Sequence, residues 1–323
     1  MLTWTPLSTN AEQNARDILS AAMWLHSTFK GEVWLWRGQA RKAYGVEPGM
    51  HTRVLNEKKF EHTEDAVASA TAALLKIARH ALLDKQGETR LPDLALLAHL
   101  QHYGAGTPLL DVSTDPLIAL WMIAFANAKE PDSLDGESGK LFGIRRPPKE
   151  RWIAPLDARP YVDSNIPSVS ASLGNEVWWY QAPDVTERLR IQRGSFLLGA
   201  LAKSASTNRH ESTIPLDLGD EESNWLKARL LRRGEPSNTT RSTSDIFAII
   251  VRGSTKKHLR RLLQDRSGLS VEAVYPTPWH RPFISQFAET YGRGRSLSLD
   301  MPVLPAAKRS VKKVTVKKKT KPV

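Results

Sequence analysis

Apolar positions recur along this chain with two periods, and the period changes mark its predicted elements. Between Asn10 and Lys30, Ile18, Ala22 and Leu25 fall near helical spacing and predict an amphipathic helix. Glu32 to Gly38 (EVWLWRG) reads as a short β-rich run that stops at a glycine. Thr63 to Leu83 is rich in alanine and leucine, strong helix formers. A further helix is predicted from Asp93 to Tyr103, with Gly104 as its C-terminal cap. Thr107 to Val112 then reads as a buried strand. It runs into Ser113-Thr114-Asp115-Pro116, a capping group followed by a proline suited to a first helical turn. The apolar helix Leu117 to Asn127 follows, and Pro131 to Gly139 is a polar loop rich in turn formers. Leu141–Ile144, Phe196–Leu201 and Ile246–Val251 are strand candidates, and Lys256 to Gln264 is a basic helix. No long-period repeat is present.

Strands and helices mix here without regular alternation. That predicts an α+β fold, with a mixed or antiparallel sheet core and surrounding helices, rather than a doubly wound sheet. At roughly 150 residues per domain, 323 residues allow two domains or one large one. The expected organisation is a helical lead-in over 1–30, a main domain over 31–300 and a disordered basic tail over 301–323. With 41% hydrophobic and 25% charged residues, a largely disordered or low-complexity chain is excluded. Cysteine is absent, so disulfides, cysteine-ligated metals and a thiol nucleophile are excluded as well. Met1 to Asn10 carries no secretory pattern. The longest nearly apolar run, Leu117 to Ala126, is far shorter than the ~20 residues that span a bilayer. The expected location is cytoplasmic. Of the formal net charge of +12, eight units lie in residues 306–323, which contain no acid, so the remainder carries +4. The basic tail and the basic helix through Arg261 are the features that point to nucleic acid, although a tail of this kind serves equally as a solubilising extension.

Three segments offer chemistry. Arg37, Gly38 and Gln39 stand at a strand end, where a planar guanidinium suits phosphate or carboxylate and a glycine admits a ligand close to the backbone; an ordinary strand-end salt bridge is the alternative. Gln101-His102-Tyr103-Gly104 leads into the strand that brings Asp111, Ser113 and Thr114 to a helix N-terminus, an arrangement open to an anion or a ribose. Helix capping by Ser113 or Asp115 is the alternative there. His99 and His102, three apart, supply only two ligands, so no metal is expected; His102 is read as a hydrogen-bonded wall of the site and His99 as a surface residue. The third segment is Arg188-Leu-Arg-Ile-Gln192, before the apolar strand from Gly194. There Gln192 either binds a hydroxyl or forms a polar strand edge. No Walker loop, dinucleotide fingerprint or G-x-S-x-G elbow is present in a fitting context.

Taken together, Trp36-Arg37-Gly38-Gln39, Pro48 with Arg53, Gln101 to Gly104, Thr107, Leu109-Leu110-Asp111, Pro116 with Ala119-Leu120, and Arg190-Ile191-Gln192 with Gly194 and Phe196 resemble the FRG domain, named for a Phe-Arg-Gly motif. Lys256 to Pro276 resembles that family's last helix and strand. Trp36 stands for the naming phenylalanine, Val112-Ser113 for a usual Trp-Thr, and Pro108 for a common arginine. More distantly, the order of stations resembles the ADP-ribosyltransferase layout: an arginine–glycine at a strand end, a Ser/Thr strand entering a helix, and a later Gln or Glu before a strand. That resemblance implies NAD as substrate. Arg37 would hold the dinucleotide, Ser113 and Thr114 would shape the nicotinamide pocket, and Gln192 would orient a ribose hydroxyl in the place of an acid, with Glu187 or Glu176 as other acids within reach in sequence. It further implies an ADP-ribosyltransferase or NAD glycohydrolase acting as a toxin or a phage-defence effector on protein or nucleic acid. The alternative is a non-catalytic module that binds a nucleotide, a phosphorylated ligand or nucleic acid.

Overall fold

The computed structural model describes residues 1–27, 33–57, 61–125, 130, 132–183, 186–203, 205, 211–219, 230 and 244–275. In chain order the elements begin β1 (Leu2–Trp4), α1 (Ala11–Ser27), β2 (Trp34–Gln39), α2 (Gly49–Asn56) and α3 (Glu64–His80). A small hairpin, β3 (Lys85–Gln86) and β4 (Thr89–Arg90), precedes α4 (Asp93–His102), β5 (Leu110–Ser113) and α5 (Pro116–Ala124). Then come β6 (Gly139–Arg145), β7 (Trp152–Ile153), α6 (Val169–Ser172), β8 (Val177–Tyr180), α7 (Glu187–Ile191) and β9 (Gly194–Gly199). The last described elements are β10 (Ile246–Val251), α8 (Gly253–Ser267) and α9 (Val271–Val274).

Eight strands form one sheet in the order β1-β10-β6-β2-β5-β9-β8-β7. β1 runs parallel to β10 and β7 parallel to β8; every other pairing is antiparallel. The fold is therefore α+β, with a mostly antiparallel sheet and surrounding helices. Its central strands are apolar on both faces, which requires cover on both sides. On β2, Trp34 and Trp36 join one core cluster while Leu35 joins the opposite one. β10 divides likewise, sending Phe247, Ile249 and Val251 to the first and Ile246 and Ala248 to the second. The first cluster is covered by α1, α5 and α8. A third cluster joins α3, α4 and the loop around Tyr161 to Tyr180, Phe196 and Leu198 on β8 and β9.

Helix ends follow local chemistry. Thr63 caps α3 by accepting from the Ala66 amide, and Gly104 takes φ 97° just beyond α4, a left-handed value that a glycine adopts without strain. Asp115 caps α5: its carboxylate accepts from the Leu117 amide at 2.8 Å, and Pro116 occupies the first turn.

Some expectations need correction. β1, β7 and the β3–β4 hairpin are too short to carry a legible period, and α2, α6, β8 and α7 are likewise absent from the elements predicted above. The resemblance implied a strand at the end of the Lys256–Pro276 stretch, but Val271–Val274 is a four-residue helix, capped by the Ser270 hydroxyl. The tail over 301–323 and Pro276 lie outside the described residues. Among the described residues no helix is long and apolar enough to cross a membrane.

Candidate functional site

Sheet order decides the site. β2, β5 and β9 are neighbours although the chain between them is long, and their ends open on a cleft of about 330 Å³. Arg37, Gly38, Gln39, His102, Asp111, Ser113 and Gln192 all line it. Tyr103 and Thr114 do not: Tyr103 packs against the core beside α4, and the Thr114 hydroxyl donates to the Arg193 carbonyl at 3.4 Å.

Arg37 is held from two sides. Its Nη1 donates to the Asp111 carbonyl at 2.7 Å. The Gln39 amide oxygen accepts from Arg37 Nε at 3.2 Å and Nη2 at 2.9 Å. A guanidinium has five N–H donors, so Nη1 and Nη2 each keep one for the cleft. Burial lowers the Arg37 pKa from its ordinary value, against the opposing pull of Asp111 and Glu47.

Gly38 has a different task from the one its sequence context suggests. A Cβ built there would fall on the Ala119 carbonyl oxygen, with the Ala119 carbonyl carbon at 2.9 Å and Ile123 Cγ1 at 3.0 Å. The missing side chain lets α5 sit directly on β2. The close approach is made by a helix backbone.

Ser113 and Gln192 are tied into the scaffold. Ser113, 6% exposed, donates from Oγ to the Gln192 carbonyl at 2.8 Å and accepts from the Asp115 amide at 3.0 Å. The Gln192 side chain, 8% exposed, donates from Nε2 to the Val274 carbonyl at 3.2 Å. At the N-terminus of α5, where the sequence suggested an external anion, the negative group is the carboxylate of Asp115, which also faces Arg193 at 3.4 Å.

Asp111 is the one acid in the described lining of the cleft. Its carboxylate is exposed and has no hydrogen-bond or ion-pair partner among the described residues. It acts electrostatically on both Arg37 and His102. Glu187 and Glu176 are elsewhere: Glu187 faces Arg190 at 3.8 Å, and Glu176 pairs with Arg151.

Arg188 and Tyr275 complete the wall, and the candidate site read from the sequence includes neither. Arg188 donates from Nη1 to the His102 carbonyl at 3.1 Å, and its guanidinium lies 4.4 Å from the Tyr275 ring centre. A signal for Arg188 was available, because it stands four residues before Gln192 on a helical turn and so shares its face. Tyr275 donates to the Met122 sulfur at 3.3 Å. Ile118, Met122 and Phe125 supply an apolar flank.

His102 Nδ1 lies 3.1 Å from the Ala98 carbonyl, which can only accept, so that nitrogen carries the proton. The ring meets Phe196 edge-on at 6.1 Å. Burial lowers its pKa, opposed by Asp111 and reinforced by Arg188. His99 is 2% exposed and packs edge-on against Tyr103; the expectation of a surface position is overturned because α4 is apolar around its whole circumference. Among the described residues no group of three or more His, Asp or Glu side chains is placed to hold a metal ion.

The basic helix is α8, and part of its charge points inward. Lys256, 1% exposed, donates from Nζ to the Ala40 carbonyl at 2.6 Å and the Leu134 carbonyl at 2.8 Å. Arg260 pairs with Asp135 and donates to the Ala124 carbonyl at 2.5 Å. Lys257 and Arg261 remain exposed.

No curated protein and no solved structure matches the chain. Residues 32–133 match the family model of the FRG domain. That span runs through β2, α4, β5 and α5 and contains Arg37, His102, Asp111 and Ser113, while Arg188, Gln192 and Tyr275 lie beyond it. The chain carries an FRG domain.

Proposed function

We propose that the cleft takes a nicotinamide dinucleotide as substrate and breaks its N-glycosidic bond, passing the ADP-ribosyl group to an acceptor. The observation that carries this reading is Asp111: an unpartnered carboxylate beside Arg37, in a cleft that also holds Arg188 and has an apolar flank. Cleavage of that bond builds positive charge on the ribose carbon, and a carboxylate fixed nearby stabilises it. In this reading Asp111 fills the role that the sequence assigned to the neighbourhood of Gln192. Arg37 and Arg188 complement the pyrophosphate, and Met122, Phe125 and Tyr275 take the planar ring. Ser113 and Gln192 position β5 against β9. The volume lies within the usual range for small-molecule sites, about 300–1,000 Å³. Consumption or transfer of such a dinucleotide is chemistry suited to a toxin or phage-defence effector, with protein or nucleic acid as target.

One observation favours a second reading, a non-catalytic nucleotide-binding module: the Ser113 hydroxyl and the Gln192 amide are both engaged by backbone. Labelled NAD separates the two. Nicotinamide release by the native protein, lost in Asp111→Asn with binding retained and lost together with binding in Arg37→Ala, supports the enzyme. Binding without release supports the module. If the native protein does not bind the dinucleotide, both readings fail.

A further inference from the structure

We propose that His102 is the base that takes the proton from the acceptor, and that the acceptor is a hydroxyl group. This rests on the glycosidic cleavage proposed above and adds the class of its second substrate.

The geometry of the ring carries the inference. His102 ends α4 and forms part of the cleft wall. Because Nδ1–H donates to the Ala98 carbonyl at 3.1 Å, the tautomer is fixed, and the bare lone pair is on Nε2. Nε2 has no partner among the described residues and is not among their buried unpartnered atoms, and the residue lines the cleft. The ring cannot swing freely. Phe196 meets it edge-on at 6.1 Å, and Arg188 grips the carbonyl of the same residue at 3.1 Å. A base needs this combination: one nitrogen anchored by its proton, the other bare and open to the substrate.

A neutral ring with one bare nitrogen selects the acceptor. Arg188 on α7 and Asp111 on β5 are the charged groups acting on the ring, and Arg37 on β2 stands beside Asp111. A protonated lysine or arginine has no free lone pair with which to attack the ribose carbon, and a neutral imidazole is too weak a base to strip its proton beforehand. A neutral hydroxyl, from serine, threonine, ribose or water, meets no such barrier. Burial of the ring also favours the neutral imidazole that a base requires. In the transfer, His102 Nε2 takes the hydroxyl proton as the acceptor oxygen forms its bond to the ribose carbon. The electron pair of the broken carbon–nitrogen bond leaves on neutral nicotinamide, and the proton then passes from Nε2 to solvent.

Native protein and His102→Gln are compared with NAD in buffers containing methanol or trifluoroethanol, with ADP-ribose binding measured by calorimetry as the check on fold and cleft. We expect ADP-ribose affinity to stay within about twofold and methanol transfer to fall about a hundredfold, the usual scale of a general base. Trifluoroethanol, whose hydroxyl is more acidic, should be affected much less. The native rate should fall on the acid side with a midpoint below the ordinary histidine value of 6.5, matching the His102 ring titration read by NMR, and the variant should lose that limb. A variant with native methanol transfer and an unchanged acid limb overturns the assignment. A native protein that leaves NAD intact removes the assignment together with the reading beneath it, and the native control distinguishes that result from failure of His102 alone.

Discussion

Replacing Gly38 by alanine tests the claim that the strand–helix contact, rather than a ligand, demands the glycine. The added Cβ would fall on the Ala119 carbonyl oxygen, with the carbonyl carbon at 2.9 Å and Ile123 Cγ1 at 3.0 Å. Ordinary contact begins at about 3.4 Å, so β2 and α5 must part by at least about half an ångström, and by more to clear the oxygen. Neither element yields easily. β2 pairs with β6 at six positions, and α5 is capped by Asp115 and packed through Trp121 and Ile123 into the core. Overpacking a tight core costs about 1–3 kcal/mol, and with backbone as the obstacle the upper end applies, about 3 kcal/mol. With a urea slope of about 3 kcal/mol per molar, the unfolding midpoint should drop by about 1 M. Gly136→Ala is the control, because no atom lies within 4 Å of a Cβ built there. Since α5 also carries Ile118, Met122 and Phe125 to the cleft, ADP-ribose affinity should weaken in Gly38→Ala alone. A midpoint for Gly38→Ala equal to that of Gly136→Ala would refute the reasoning.

Two further outcomes follow from buried charge. Burial pushes the Glu64 carboxyl up to about 7, although it accepts from the Leu201 amide at 2.6 Å, and both Glu64 Oε1 and the Tyr161 hydroxyl are buried without hydrogen-bond partners among the described residues. A raised carboxyl favours the protonated folded state, so its contribution is complete below 4.5 and is lost as pH rises through about 7. Glu64→Gln should therefore gain up to about 3 kcal/mol at pH 8 and nothing at pH 4; equal gains in urea unfolding at both pH values would contradict this. Lys256→Met leaves the Ala40 and Leu134 carbonyls without their donor and should cost about 3 kcal/mol, whereas exposed Lys257→Met should be near neutral in the same assay.

The sequence made some of this architecture plain because the physics there is local. α3 is long and periodic, and α4, α5 and β10 are uniformly apolar, which marks them for burial in any tertiary context. β1, β7 and the β3–β4 hairpin are too short to show a period, and α2 starts without a side-chain cap, its Met50 amide bonding the Thr107 carbonyl at 2.9 Å, a partner invisible locally. Within the site, residue types were readable but their engagements were not. His99 looked external until all sides of α4 were seen to be covered. Glu187 and Glu176 are the carboxylates near Gln192 in sequence, whereas sheet order brings β5 and Asp111 alongside β9. Lys256 counts as positive charge in composition and serves as an internal donor in the fold.

The bond from Arg37 to Asp111 spans 74 residues, and that from Ser113 to Gln192 spans 79. Closing loops of that length is slow, and contacts so distant form late in folding. The span that defines the FRG domain ends before β9 begins, so on the ribosome the arginine, the histidine and the aspartate are synthesised well before the strand that closes their cleft. The nascent chain therefore holds these groups without their enclosure, which needs β9 beside β5 and, still later in synthesis, Tyr275 against Arg188.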